Sequence, residues 1–341
     1  MIRKRATFQF GLFLLGLGLF AWVVRETGLD ELRVLIPALS GPGALVLFFY
    51  PVISLPDAWG WYIVLSRDGR MKNGFWHALL IRMAGEGLNS ITPFLDIGGE
   101  FLKVSLVSKH LNLSRRVTVA SVILTRSALL FSEMLFWMLG FSLAFVLLAM
   151  PGAVNIAFGT ALSIFLLVCA GLVFVQKKGL SSTFGKLFES LGLRGEHWER
   201  FEVPLKDIDE EIAFFYGRGG LKLARVIILH YAGWMAGSIE TYAMLHVLGV
   251  NVSIWEAVIL EAALQFVRTA SFFIPANLGA QEAGLAFAIE QMGIHPGLGV
   301  ALSLFKRLRQ IIWTGVSFGI WSWYQWREKH MGTKAGAGAG S

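Results

Sequence analysis

The sequence is short of what soluble enzymes are built from. Of its 341 residues only 16% are charged, against about 25% in an ordinary soluble domain. There is one cysteine, Cys169, set in an apolar run, which excludes an intrachain disulfide and a cysteine-based metal cluster. No H-E-x-x-H, no P-loop and no G-x-S-x-G occurs, so three common routes to catalysis lack their residues. The glycine-rich stretches lack the strand-and-helix setting of a dinucleotide fingerprint. No basic run exceeds four residues, which argues against a nucleic-acid partner in spite of a net charge of +7. No cofactor is implied.

What is present is apolar. Hydrophobic residues make up 55% of the chain, with 12 Trp and 27 Phe, and the mean hydropathy is +0.61. That composition predicts an all-α polytopic membrane protein, its basic residues collected in cytoplasmic loops. Arg3, Lys4 and Arg5 precede the apolar run Phe8 to Val24. No small-x-small cleavage signal follows, so the run reads as an uncleaved first span. The tail Gly332 to Ser341 has the low complexity of a flexible linker.

Spans need about 20 apolar residues, and loops rich in Lys and Arg stay inside. On those rules span one starts inside, Pro42 to Leu65 returns to the basic loop of Arg67, Arg70 and Lys72, and both chain termini are cytoplasmic. The stretch Phe75 to Val107 is basic at both ends and is broken at ITPFLDIGGEFLK. A segment that begins and ends on one side without two full spans is a re-entrant hairpin, and broken backbone at that depth is tolerated where it is buried or lines a polar cavity. Val117 to Met150 and Ala153 to Val175 then cross out and back. The polar region 179–220 carries Phe184, Leu187, Phe188, Leu191 and Leu193 at helical spacing, predicting a cytoplasmic amphipathic segment lying on the bilayer. Leu221 to Leu248 crosses outward, Trp255 to Met292 is broken at FFIPANLGAQEAG, and Leu298 to Trp323 ends inside. The expectation is about six full spans and two hairpins, in one domain over 1–331.

The two breaks repeat. Pro93 precedes Glu100 by seven positions and Pro275 precedes Glu282 by seven; Arg126 follows Glu100 by 26 and Arg307 follows Glu282 by 25. Hairpins of similar pattern entering from opposite faces predict an inverted-topology repeat, which places a substrate site near the midplane.

The first break, LNSITPFLDIGGEFLK, resembles the N-x-x-x-P and G-E-x-x-R/K pattern of the lysylphosphatidylglycerol synthase transmembrane region, also called the flippase-like domain. The second, IPANLGAQEAGLAFA, is similar to the same family's PGG-x-G-x-x-E-A segment, with Ala276 and Asn277 where the family has a double glycine. The resemblance extends from Phe8 to Trp326, including the span with Trp234 and Glu240, and covers the flippase half of the multiple peptide resistance factor. No aminoacyl-transferase segment lies within these residues, so the resemblance implies lipid translocation in a bacterial inner membrane rather than lipid aminoacylation.

An ionisable side chain at the bilayer centre costs roughly 2.5–3.5 kcal/mol on insertion scales, so each needs a partner, water or a substrate. The candidate substrate-binding residues are Glu86, Asn89, Pro93, Glu100, Lys103, Arg126, Glu133, Glu240, Arg268, Pro275, Glu282, Arg307 and Arg309. The arginines suit a lipid phosphate through their fork geometry, or salt bridges with the glutamates. Glu100 and Glu282 suit either a polar cavity or the start of a half-helix, where the dipole favours a carboxylate. Glu86 and Arg268 stand seven residues before the two prolines and could meet on a pseudo-twofold axis. Asp96 suits a turn cap, and His230 a core or interfacial position rather than a ligand.

The expected partners are membrane lipids, whether phospholipid, aminoacyl lipid, hopanoid or polyprenyl lipid, with a homo-oligomer left open. An intramembrane enzyme acting on a lipid-linked substrate, or a non-transporting partner of lipid-synthesis enzymes, are the alternatives to a transporter.

Overall fold

A computed structural model describes residues 37, 39–66, 74–90, 98–148, 152–190, 196–217 and 220–337. Span one, the basic loop at 67–73 and the tip of the first break, with Pro93 and Asp96, lie outside them. The described residues are helical and contain no strand.

The expected span from Pro42 is bent. A short α1 (Pro42–Val46) hands over to α2 (Tyr50–Leu65). Next come α3 (Gly74–Asn89) and α4 (Gly98–His110), the arms of the first hairpin. The long α5 (Arg115–Leu147) is capped by Ser114, whose hydroxyl accepts from Val117 N. It leads to α6 (Gly152–Lys178), α7 (Leu180–Ser190) and α8 (Glu196–Gly217). Then α9 (Gly220–Val247) precedes α10 (Ile254–Ala270), which opens with a capping box between Ser253 and Glu256. A 3₁₀ turn at Pro275–Asn277 and α11 (Ala280–Glu290) complete the second hairpin. The chain ends on α12 (Pro296–Ala337), which runs into the low-complexity tail on residues that include good helix formers.

Among the described residues, three helical stretches are long and apolar enough to cross a membrane: Gly43–Leu65, Arg115–Leu147 and Ile156–Lys178. Two further expected spans fall on α9 and α12, which have the length, 28 and 42 residues, but carry polar and charged side chains that lower their hydropathy. The outermost span is α6, with Ile156, Leu167 and Phe174 all widely exposed.

Both breaks are helical hairpins. In the first, Asn89 meets Gly99 and Glu86 meets Lys103, so α4 runs back along α3. The arms touch because they are small where they cross: a Cβ on Gly99 would collide with the Gly85 carbonyl. Lipid supplies no hydrophobic drive between helices, so close backbone approach and polar contacts carry the association.

Helix α12 packs on both hairpins. The first half of α12, through Ala301, Leu302 and Phe305, packs with Leu260, Leu285 and Ile289 of the second hairpin. Its far half, through Tyr324, packs with Ile81, Leu106 and Val107 of the first and with Trp61 of α2.

In the 179–220 region, Ile212 and Phe215 of α8 are buried against Ala120, Leu124 and Val226. Asp209 accepts from the backbone N–H groups of Leu180 and Ser181 at 2.6 and 2.9 Å, capping α7 and tying it to α8. Apolar residues at 212 and 215 face a helix rather than lipid, a choice that periodicity does not make.

Candidate functional site

Glu100 lies in the first turn of α4, and Glu282 in the first turn of α11. Residues at helix starts face unpaired N–H groups and the positive end of the dipole, and both positions use this. Glu282 accepts from Gly279 N at 2.8 Å. At the first hairpin Asn89 takes that part, accepting from Gly99 N at 2.6 Å.

The repeated spacing becomes a repeated ion pair. Arg126 of α5 donates to Glu100 from Nε at 2.9 Å and also from Nη2. Arg307 of α12 donates to Glu282 from Nε at 2.5 Å and from Nη2 at 3.0 Å. Arg307 further reaches the carbonyls of Ala276 and Asn277 at 3.0 and 3.2 Å, clasping the bend itself. The hydroxyl of Ser303 donates to Glu282 at 2.8 Å.

The bend is strained. Ala276 has φ 53° and Asn277 φ 50°, in the left-handed region where a glycine is at ease and a Cβ is not. These are the positions at which the resembled family carries its double glycine. Asn277 is compensated by a 2.7 Å hydrogen bond between its amide and Ser271.

The remaining interior charges form two networks. In one, Lys103, nearly fully buried, donates to Glu86 at 2.8 Å and to Glu100 at 3.0 Å. Arg82 stands 3.7 Å from Glu86 and donates to Asp57 at 2.7 Å, and Asp57 lies 2.5 Å from His230 Nδ1. In the other, Lys306 donates to Glu261 at 2.8 Å and lies 3.5 Å from Glu240. Arg309 donates to Glu240 at 2.5 Å, and the Thr241 hydroxyl to Glu261 at 2.6 Å.

Each candidate but Pro93, which lies outside the described residues, thus has a place. Glu86, Asn89, Glu100, Lys103 and Arg126 come together at the first hairpin; Pro275, Glu282 and Arg307 at the second; Glu240 and Arg309 between α9 and α12. Glu86 does not meet Arg268: its partners are Lys103 and Arg82, while Arg268 donates to Gln281 at 2.9 Å. Glu133, two turns beyond Arg126 on α5, is buried and accepts from Thr269 at 3.0 Å. His230 is a fully buried core histidine, as its setting predicts.

Sequence reasoning passed over Asp57, Arg82 and Lys306. Arg82 stands one helical turn before Glu86, a signal that was available. Asp57 and Lys306 carry no motif, and only their depth in the bundle reveals that they must be paired. The hairpin charges are turned onto one another. A crevice between α2, α5, α8 and α9, lined by Ser66, Ser121, Glu211 and Lys222, includes none of the candidates. Among the described residues no cluster of His, Cys, Asp and Glu could hold a metal ion.

A family model described as Lysylphosphatidylglycerol synthase TM region matches residues 9–319. No curated protein and no solved structure shows significant similarity to the chain.

Proposed function

The chain belongs to the lysylphosphatidylglycerol synthase TM region family, a membrane family concerned with lipid, and on that footing we propose that it translocates a phosphate-bearing lipid across the bacterial inner membrane. The observation that carries the reading is the recurrence of one Glu–Arg pair at the bend of both hairpins, Glu100 with Arg126 and Glu282 with Arg307.

In this reading the hairpins re-enter from opposite faces as an inverted repeat, with both termini cytoplasmic. Buried polar groups tolerate the bilayer interior because each is matched by another. The same matching makes a path for a headgroup, which exchanges its water for protein charges while its tails stay in lipid. No covalent step is required, and the role is transport rather than catalysis.

The test is translocation in proteoliposomes by purified full-length protein and by the Glu100→Ala, Arg126→Ala and Glu282→Ala variants. Each variant is expected to insert normally and to lower the rate by about tenfold or more, the effect of about 1.4 kcal/mol on a barrier. Wild-type rates in all three would overturn the assigned site.

A further inference from the structure

Among the described residues, six interior carboxylates each touch a cation: Asp57 with Arg82, Glu86 with Lys103, Glu100 with Arg126, Glu240 with Arg309, Glu261 with Lys306 and Glu282 with Arg307. Glu133 breaks the pattern. Its Oε1 accepts from the Thr269 hydroxyl at 3.0 Å, and its Oε2 has no hydrogen-bond partner among the described residues. The residue is buried yet not sealed, with 8% of its surface open.

The elements packed around it bring neutral groups or charges already engaged. From α6 comes the Cys169 thiol, itself buried. From α9 comes Trp234, whose indole donates to Ser132 at 3.1 Å. From α10 come Thr269 and, one residue before it, Arg268, which is bonded to Gln281. On α5 itself Arg126 stands two turns away and acts on Glu133 electrostatically, but its guanidinium is closed on Glu100 of α4. Helices α2 and α8 pack on the other half of α5, at Ala120, Leu124 and Ala128. An ionised carboxylate left with one neutral hydroxyl in a membrane interior is costly, and taking up a proton removes that cost. The carboxylic acid is the form that these surroundings match.

The position of Glu133 gives its proton a consequence. Thr269 lies in the last turn of α10, from which the second bend is built. Arg268 before it reaches Glu282 through Gln281 and Ser303, and Ser271 after it holds Asn277. On the other side α5 holds the first hairpin through Arg126 and Glu100. The Glu133–Thr269 bond thus joins the helix that grips one hairpin to the arm that carries the bend of the other. Loss of the proton places a negative charge two turns from Arg126, in competition with Glu100. A headgroup phosphate at that arginine and an ionised Glu133 repel one another, so the headgroup favours the proton and, by linkage, the proton favours the headgroup. Resting on the translocation reading, we propose that Glu133 is a proton-binding site and that the lipid crosses together with a proton carried there. The carboxylate forms one O–H bond with a proton taken from hydronium on the acidic side, and that bond breaks to water on the alkaline side. No other bond changes.

The experiment uses purified full-length protein in proteoliposomes containing tail-labelled fluorescent phosphatidylglycerol. Equal potassium on both sides and valinomycin hold the membrane potential at zero, and dithionite quenching reads the leaflet ratio after a pH jump outside. One proton per lipid is expected to enrich the label in the leaflet facing the alkaline side by about tenfold per pH unit, and a protonophore to abolish the enrichment. Glu133→Gln keeps the Thr269 bond without a titrating group and is expected to abolish it as well. Infrared difference spectra between light and heavy water supply a readout that transport does not touch. The carboxylic acid band of Glu133 is expected to vanish in Glu133→Gln and to move to higher frequency in Thr269→Val, which removes the donor to its carbonyl. Should Glu133→Gln fail to fold, Thr269→Val and the wild-type gradient response carry the test. Full enrichment in Glu133→Gln overturns the proposal, and so does a carboxylic acid band unchanged in both variants. Rapid wild-type translocation with a leaflet ratio that ignores the pH gradient removes the proton coupling and leaves the transport reading. A Glu133 band without wild-type translocation removes the transport reading and leaves the proton site.

Discussion

Two buried glutamates separate the roles a carboxylate can take in this interior. Glu282 holds a guanidinium, a hydroxyl and a backbone N–H. Removing one partner of a buried pair strands the other charge, which costs about 3–5 kcal/mol. Glu282→Gln is therefore expected to lower unfolding stability in detergent by that order. Among the described residues Glu133 has the Thr269 hydroxyl as its hydrogen-bond partner and no ion pair. Glutamine accepts the same bond, so Glu133→Gln should change stability by less than about 1 kcal/mol, and a loss as large as that of Glu282→Gln would disprove this contrast. Ala276 offers the reverse case. A left-handed conformation costs a residue with a Cβ roughly 1–2 kcal/mol, so Ala276→Gly is expected to raise the thermal midpoint, and a lowered midpoint would show that the strain at Ala276 is smaller than the chain freedom glycine adds to the unfolded state.

At the scale of elements, the hairpins close because of what their arms leave out. Gly99 sits against the Gly85 carbonyl with no room for a side chain. Gly99→Val should separate α4 from α3, pull Asn89 off the Gly99 N–H, and cost about 1–3 kcal/mol as overpacking does; denaturant unfolding of the variant reads it. The docking of α8 is a separate unit, anchored by Ile212 on Ala120 and Leu124. Ile212→Ala removes a fully buried side chain at a cost of about 2–5 kcal/mol where packing cannot relax. Faster hydrogen exchange confined to α7 and α8 is the expected signature, and unchanged exchange there would mean that α8 is held elsewhere.

For the molecule as a whole, α12 packs on both hairpins, the second along its first half and the first along its far half, and α5 reaches both through Arg126–Glu100 and Glu133–Thr269. A proline at Thr314, between the two contacts, would remove a helix hydrogen bond and kink the rod at a cost of about 3 kcal/mol. Thr314→Pro is expected to uncouple the halves, giving two unfolding transitions where the parent chain gives one. A single transition in the variant would show that contacts outside α12 hold the halves together.

The sequence by itself determined the class, the places where the backbone breaks, and the matched spacing of Glu100 to Arg126 and of Glu282 to Arg307; that each arginine closes on its own glutamate is seen only in the fold. The sequence could do so because apolar run length, proline and glycine act locally, and because two breaks with matching spacing supply each other's evidence. Span one and the tip at Pro93 rest on that reading alone. Tertiary structure decided the rest. It turned Glu86 toward Lys103 and Arg82 and away from Arg268, put α8 against α5, and brought in Asp57, Arg82 and Lys306, which no motif marks. The physical reason is that a charge inside a bilayer must be matched by whatever lies beside it, and neighbours from α2, α3, α9 and α12 are set by helix packing rather than by distance along the chain.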